Sequence, residues 1–104
     1  MTTYRVFFMP DAIKDLEIIY EYIAEQSGFP ERAWAYMEKL KLKCQELETF
    51  PIRGQPRNDL MGGLRIYPLG NRAVAAFLVD EAKLTVRILN IFYGGRDYEV
   101  LLST

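Results

Sequence analysis

Two stretches with apolar residues at helical spacing, separated by a short break, constrain the fold more than any other feature of this 104-residue chain. Spacings of three and four residues place side chains on one face of an α-helix. The first stretch ends near Gln26, and the second runs from Pro30 to about Thr49. Because the break at residues 27–31 is short, the pair predicts a helical hairpin. The two stripes are Ala12, Leu16, Ile19 and Ile23, and Ala33, Met37, Leu40, Cys44 and Leu47.

Strand-like runs flank this hairpin on both sides. They are rich in β-branched and aromatic residues, and Gly70–Asn71 predicts a hairpin turn between two of them. We expect one α+β domain over residues 1–104, with an N-terminal strand, a helical hairpin and then a three-stranded antiparallel meander. The first strand could join an edge of the sheet or insert between other strands. The runs cover residues 3–9, 64–69, 72–79 and 84–93, and residues 52–63 predict a loop.

The composition excludes several classes of enzyme. The chain has no histidine, which rules out imidazole bases and His-ligated metals, and its lone cysteine, Cys44, cannot form a zinc site or an internal disulfide. No phosphate loop or dinucleotide-binding glycine pattern occurs. We therefore expect neither a metal nor a cofactor, and any chemistry must come from Arg, Lys, Tyr or carboxylates. With no signal peptide or membrane-spanning run, we expect a cytoplasmic protein that does not bind membranes.

Charge is unevenly spread along the chain. Residues 1–50 hold nine acidic and six basic side chains, whereas residues 51–104 hold five acidic and seven basic ones, six of them arginines. Arg65 and Arg87 lie within strand patterns, so each should point at a defined face and recognise an acidic partner or a phosphate backbone. The sequence pI of about 5.4 argues against direct DNA binding by the chain alone.

The last strand is apolar on both faces. Strict alternation places one set against the helices and a second set on the opposite face. The first set is Leu84, Val86, Ile88, Asn90 and Phe92, and the second is Thr85, Arg87, Leu89, Ile91 and Tyr93. Something must cover that second face, since both helices should lie on one side of the sheet. The cover could be the C-terminal tail, which carries Tyr98, Val100, Leu101 and Leu102, or a partner chain. For the partner alternative, the contact residues would be Arg65, Arg87, Leu89 and Ile91.

The strand ends in Tyr93, and two glycines, Arg96 and Asp97 follow directly. A turn needs the glycines, and Asp97 suits the start of a short helix. Neither need accounts for Tyr93 or Arg96. We therefore interpret these two side chains as candidates for binding a target.

The chain resembles the ParE-type toxins of the RelE/ParE superfamily over nearly all of its residues. The matching segments are "MPDAIKDLEIIYEYIAE", "AWAYMEKLKLKCQELETFPIRGQPRNDL", "GLRIYPLGNRAVAAFLVD" and "VRILNIFYGGRD". Family members often have His where Tyr93 stands. The resemblance implies a growth-arresting toxin of a type II toxin–antitoxin module, neutralised by a ParD-like antitoxin in a hetero-oligomer and directed at DNA gyrase. For such a toxin, the candidates for target binding or toxicity are Tyr93, Arg96, Tyr98 and Leu101.

Three readings of function remain open from the sequence. The first is a non-catalytic inhibitor of gyrase. The second is a RelE-like ribosome-dependent mRNA endoribonuclease, which needs a base, an acid and cations at one site. The third is a degenerate domain that keeps only its antitoxin contact. The missing histidine and the low pI favour the first, because phenols and guanidinium groups are poor bases near neutral pH.

Overall fold

A computed structural model of the chain describes residues 2–95 together with residues 101 and 102. It confirms the helical hairpin, with α1 at Pro10–Ser27 and α2 at Pro30–Gln45. Each helix begins with a proline, whose missing N–H costs nothing in the first turn. The second helix ends earlier than its apolar spacing predicts, because the chain tightens into a 3-10 turn at Glu46–Glu48; another 3-10 turn spans Pro51–Arg53.

Five strands form one mixed sheet in the order β1-β5-β4-β3-β2. The predicted antiparallel meander of β3, β4 and β5 is confirmed. The first strand lies at an edge, where β1 pairs in parallel with β5. A two-residue strand, β2, falls in the segment predicted as loop and is too short to show a periodicity. The strands are β1 Arg5–Phe8, β2 Gln55–Pro56, β3 Arg65–Pro68, β4 Ala73–Asp80 and β5 Thr85–Tyr93.

Both helices pack on one side of the sheet, called here the helix-facing side. Most of the two predicted apolar stripes are buried there against Phe77, Val86 and Ile88. Of those stripes, only Ile23 is partly rather than fully buried, near the end of α1. The buried stripe residues in this cluster are Ala12, Leu16, Ile19, Met37, Leu40, Cys44 and Leu47.

A β-bulge in β5 makes the predicted alternation wrong beyond Ile88. The pairs Phe77↔Ile88 and Ala76↔Asn90 leave Leu89 as an extra residue without a partner in β4. An extra residue shifts the faces of all residues after it. Ile91 therefore lies in the helix-facing core at 1% exposure instead of on the opposite face. The same bulge moves Phe92 from its predicted place in that core to the other side.

The opposite side, called here the outer sheet face, carries a smaller apolar cluster. Its buried members come from β3, β4, β5 and the residue before β3, and no residue of α1 or α2 belongs to it. From the C-terminal tail, Leu102 packs against this cluster, as the tail alternative predicts. The buried members are Leu64, Ile66, Ala76 and Phe92.

Neither α1 nor α2 is long and apolar enough to cross a membrane, and no other helix among the described residues is. Within residues 2–95, 101 and 102, no three His, Cys, Asp or Glu side chains gather into a group that could hold a metal ion.

Candidate functional site

Tyr93 lies at the centre of three aromatic rings that come from three different elements. Its ring meets Tyr22 of α1 edge-on, with the centroids 6.1 Å apart, and Tyr36 of α2 at 5.6 Å. Burial raises the pKa of Tyr36, as does the nearby Tyr93, while Arg72 acts in the opposite direction. Tyr93 is half-buried against the helix-facing core. The predicted toxicity residue is thus also part of the packing between the sheet and both helices.

A pocket of about 290 Å³ opens beside Tyr93. Asp15 lies in its wall, and its Oδ2 atom accepts hydrogen bonds from the backbone N–H of Ile91 at 2.8 Å and from the side-chain amide of Asn90 at 3.2 Å. These bonds hold α1 to β5 just after the bulge. The pocket is lined by Asp15, Ile18, Ile19, Tyr22, Ile91, Tyr93 and Gly94.

Asp15 was not a candidate at the sequence level, although the sequence contains a signal for it. It follows Ala12 by three positions and precedes Ile19 by four, so an acid lies within the apolar stripe of α1. A carboxylate in such a position needs hydrogen-bond donors, because burying an unsatisfied charge is costly. The donors to the Asp15 carboxylate are set by the bulge in β5, and the hydrophobic periodicity of the sequence does not reveal that bulge.

The two strand arginines do not share a surface, contrary to the sequence prediction. Arg65 points to the helix-facing side, where its Nη1 donates to the backbone carbonyls of Ile52 at 3.0 Å and Gly54 at 2.7 Å. Arg87 is exposed on the outer sheet face, opposite Leu78 of β4. The bulge also separates Arg87 from Tyr93, which alternation had placed on the same face. Arg65 therefore secures the turn before β2, and Arg87 is free to contact a partner.

The outer sheet face offers an exposed surface that mixes apolar and cationic groups. Phe7, Arg87 and Leu78 lie in one row across β1, β5 and β4. Phe7 is 40% exposed, and the Arg5 guanidinium lies 5.4 Å from the centre of its ring. Leu89 is half-buried nearby on β5. Of the four predicted antitoxin-contact residues, Arg87 and Leu89 lie on this face, whereas Arg65 and Ile91 do not.

Two of the four predicted toxicity residues, Arg96 and Tyr98, lie outside the described residues. Leu101 is described and 41% exposed. The glycines before Arg96 fulfil the role expected of them, since Gly94 and Gly95 have φ values of 77° and 75°. Residues other than glycine rarely adopt this left-handed backbone conformation.

A polar cluster that the sequence analysis missed surrounds Tyr67 of β3. The Tyr67 hydroxyl donates to Oε1 of Glu46 at 2.6 Å, and Lys43 and Arg53 lie 3.4 and 3.6 Å from the same oxygen. The hydrogen bond from Tyr67 is the largest cause that lowers the pKa of Glu46 below its usual range. Lys43 and Glu46 are only three positions apart, but Arg53 and Tyr67 come from another 3-10 turn and from β3, so no local spacing could have joined all four.

The fold is shared with toxins from toxin–antitoxin complexes. A structure described as the chromosomal ParDE toxin–antitoxin system from P. aeruginosa matches with a TM-score of 0.75 and 22% identity, covering 88% of this chain and 97% of that one. The toxin–antitoxin complex RelBE2 from Mycobacterium tuberculosis matches with a TM-score of 0.65 and 22% identity, covering 88% and 99%. No functionally curated protein matches the sequence.

The sequence itself assigns the chain within this class. Residues 6–98 match the model of the family described as ParE toxin of type II toxin–antitoxin system, parDE. Because the match spans most of the chain, the protein belongs to the ParE toxin family. The expected resemblance and the α+β fold are both confirmed.

Proposed function

We propose that this ParE-family toxin arrests growth by binding and inhibiting DNA gyrase, without catalysis of its own, and that a ParD-like antitoxin neutralises it. The observation that carries the non-catalytic reading is that the candidate catalytic groups within the described residues do not converge; Arg96 lies outside them. Arg65 binds backbone carbonyls, Arg87 lies on the outer sheet face, and Tyr93 stands among tyrosines on the other side. A ribonuclease needs base, acid and cation around one phosphate.

The RelE-like alternative has one specific observation in its favour, the cluster around Tyr67. It brings a phenol, a carboxylate and two cations together. Its electrostatics oppose general-base catalysis, however. The lowered pKa of Glu46 makes that carboxylate a weaker base, since the best catalytic base has a pKa near the working pH. The cluster fits a structural tie between α2 and β3 better than an active site.

The target is tested with purified protein in two assays run side by side, gyrase supercoiling and cleavage of ribosome-bound mRNA. We expect inhibition of supercoiling and no mRNA cuts. The Tyr67→Phe variant, which removes only the hydroxyl, should remain fully toxic. Site-specific mRNA cleavage that Tyr67→Phe abolishes, with normal supercoiling, would establish the nuclease instead. Inactivity in both assays, with intact antitoxin binding, would support a degenerate domain.

We propose that the antitoxin contacts the outer sheet face. An amphipathic, acidic antitoxin segment could bury its apolar side chains against Phe7 and Leu89 and place carboxylates near Arg5 and Arg87. The competing apolar surface is a groove between α1 and α2 lined in part by Ile13 and Trp34. That groove also contains Glu17 and Glu21 with one cation, Lys41, so its charge balance is acidic and attracts an acidic segment less than Arg5 and Arg87 do.

Charge reversal tests this placement. Arg87→Glu should weaken the antitoxin complex roughly tenfold or more, because like charges then face each other across the interface. Arg53→Glu is the control, on a different surface. The single tryptophan gives a second readout, since Trp34 is 60% exposed in the α1–α2 groove. We expect its fluorescence to change little on antitoxin binding. A strong blue shift, with equal effects of the two reversals, would move the contact to the groove.

A further inference from the structure

The pocket beside Tyr93 combines one carboxylate with two tyrosine rings at a surface that no described residue fills. We propose that this pocket binds the guanidinium group of an arginine side chain from a protein partner. The proposal concerns a recognition site on the toxin and holds whichever target the toxin inhibits. It rests on the chemistry of the wall, the shape of the opening and the charge of α1.

The carboxylate in the wall has no charged partner. Asp15 forms no ion pair with any described residue, and both of its hydrogen bonds reach the same oxygen, Oδ2, from neutral donors. The other oxygen, Oδ1, accepts no hydrogen bond from the described part of the chain. A half-buried carboxylate with a free oxygen is a strong acceptor for a charged donor, because charge-assisted hydrogen bonds are the stronger kind.

The aromatic walls select a flat cation. Tyr22 is 52% exposed, and its ring meets Tyr93 at an interplanar angle of 62°. Guanidinium groups bind to aromatic faces and to carboxylates at once, which a compact ammonium does less well. Gly94 leaves the entrance open, since a Cβ atom placed there would meet nothing within 4 Å.

The pocket has room for a side chain, and the charge around it favours a basic segment of a protein partner. At about 290 Å³ it lies just below the usual range for small-ligand pockets, roughly 300–1,000 Å³. The helix that supplies Asp15 is acidic, with five carboxylates and one basic residue, Lys14, in α1. Such a helix attracts basic segments and repels acidic ones. A basic stretch of a partner, with one arginine inserted between Tyr22 and Asp15, satisfies all of these features.

The test uses the full-length toxin and N-acetyl-arginine amide as the probe, followed by NMR. Saturable shifts are expected at the methyl groups of Ile18 and Ile91 and at the rings of Tyr22 and Tyr93. The neutral isostere N-acetyl-citrulline amide should bind at least roughly fivefold more weakly, because it lacks the charge. Equal binding of the two probes, or shifts confined to other surfaces, would overturn the proposal.

Matched variants separate the pocket from general acidity. Asp15→Asn keeps an oxygen for the N–H of Ile91 but removes the charge, so binding should weaken roughly fivefold while the melting temperature holds. Glu17→Gln makes the same charge change on the same helix outside the pocket and should leave binding unchanged. Tyr22→Leu should also weaken binding, because it removes a ring on which the guanidinium of the probe stacks. Equal losses in Asp15→Asn and Glu17→Gln would show nonspecific attraction and refute the site.

One further experiment removes an arginine of the toxin itself that could compete with the probe for the pocket. Arg96 follows Gly94 by two positions in the sequence, and its own guanidinium could exclude the probe. Each titration is therefore repeated in an Arg96→Ala background. Arginine-specific binding in either background supports the pocket, and its absence from both overturns it.

Discussion

Tyr93 shows how one side chain can serve packing and recognition together. Its ring contacts Tyr22 and Tyr36, so it joins the end of β5 to both helices. Its hydroxyl donates to no described residue and is available to a partner. The turn after β5 does not account for Tyr93, but the packing of its ring against both helices does, so a test of its role must separate the ring from the hydroxyl.

Tyr93→Phe should leave stability nearly unchanged, because it keeps both ring contacts. Tyr93→Ala should destabilise the protein by about 1–3 kcal/mol, since each edge-on aromatic contact contributes about 0.5–1.5 kcal/mol beyond area burial. Urea unfolding measures both. If toxicity depends on the hydroxyl, the Tyr93→Phe variant should be folded but no longer toxic. An Ala variant as stable as the parent would contradict the packing role.

Cys44 is fully buried in the helix-facing core, and burial raises the pKa of its thiol to about 12. An unfolded chain has a cysteine pKa of roughly 8.5. The stabilisation from keeping the thiol neutral is therefore complete below the unfolded value and is lost as pH rises toward the folded value. We expect no reaction with a thiol reagent at about pH 8 unless the protein unfolds. Rapid labelling of the native protein would show that the core opens locally around α2.

At the level of elements, the bulge in β5 decides which residues can meet a partner. Most of the helical hairpin and the antiparallel meander could be predicted, because apolar spacing and turn residues are local properties. Alternation correctly placed Val86, Ile88 and Arg87 before the bulge and failed after it, for Ile91 and Phe92. The carbonyl contacts of Arg65 and the Glu46–Tyr67 pair were equally hidden, since they join segments distant in sequence.

The tie between α1 and the bulge gives a prediction for Asp15. Asp15→Ala should destabilise the protein by about 1–3 kcal/mol, because the buried N–H of Ile91 loses its acceptor. Asp15→Asn should cost much less, as its amide oxygen can still accept. Chemical denaturation of the two variants, with Glu17→Ala as control, measures the difference. Equal losses for Ala and Asn would mean that the charge of Asp15, rather than the hydrogen bond, stabilises the fold.

A second element, the turn before β2, depends on close packing at Gly54. A Cβ atom there would lie 2.8 Å from the buried ring of Phe77 and 3.1 Å from the carbonyl oxygen of Ile66. Gly54→Ala should therefore destabilise by about 1–3 kcal/mol through overpacking. Gly62→Ala, where a Cβ meets nothing within 4 Å, is the matched control and should be nearly neutral. Thermal melts of the two variants compare the sites directly, and similar melting temperatures would contradict the crowding.

At the scale of the whole molecule, the sheet is complete only when β1, the first strand in the sequence, has paired with β5, the last. Arg5 of β1 pairs with Thr85 of β5, and Phe8 pairs with Ile88. The strand β5 also supplies Val86, Ile88 and Ile91 to the core under the helices. A fragment that ends at Lys83 should therefore remain unfolded by circular dichroism and show no toxicity. A folded fragment would show that the hairpin, β3 and β4 form a stable core without β5.

This parallel pairing has a consequence for how the toxin appears in the cell. While the ribosome is still making the chain, β1 and both helices emerge without the strand that completes their core. Local contacts can form early, but contacts between distant segments must wait, and such folds form slowly. Active toxin can thus arise only after β5 has been synthesised, and we expect a chain that terminates before β5 to be harmless without any antitoxin.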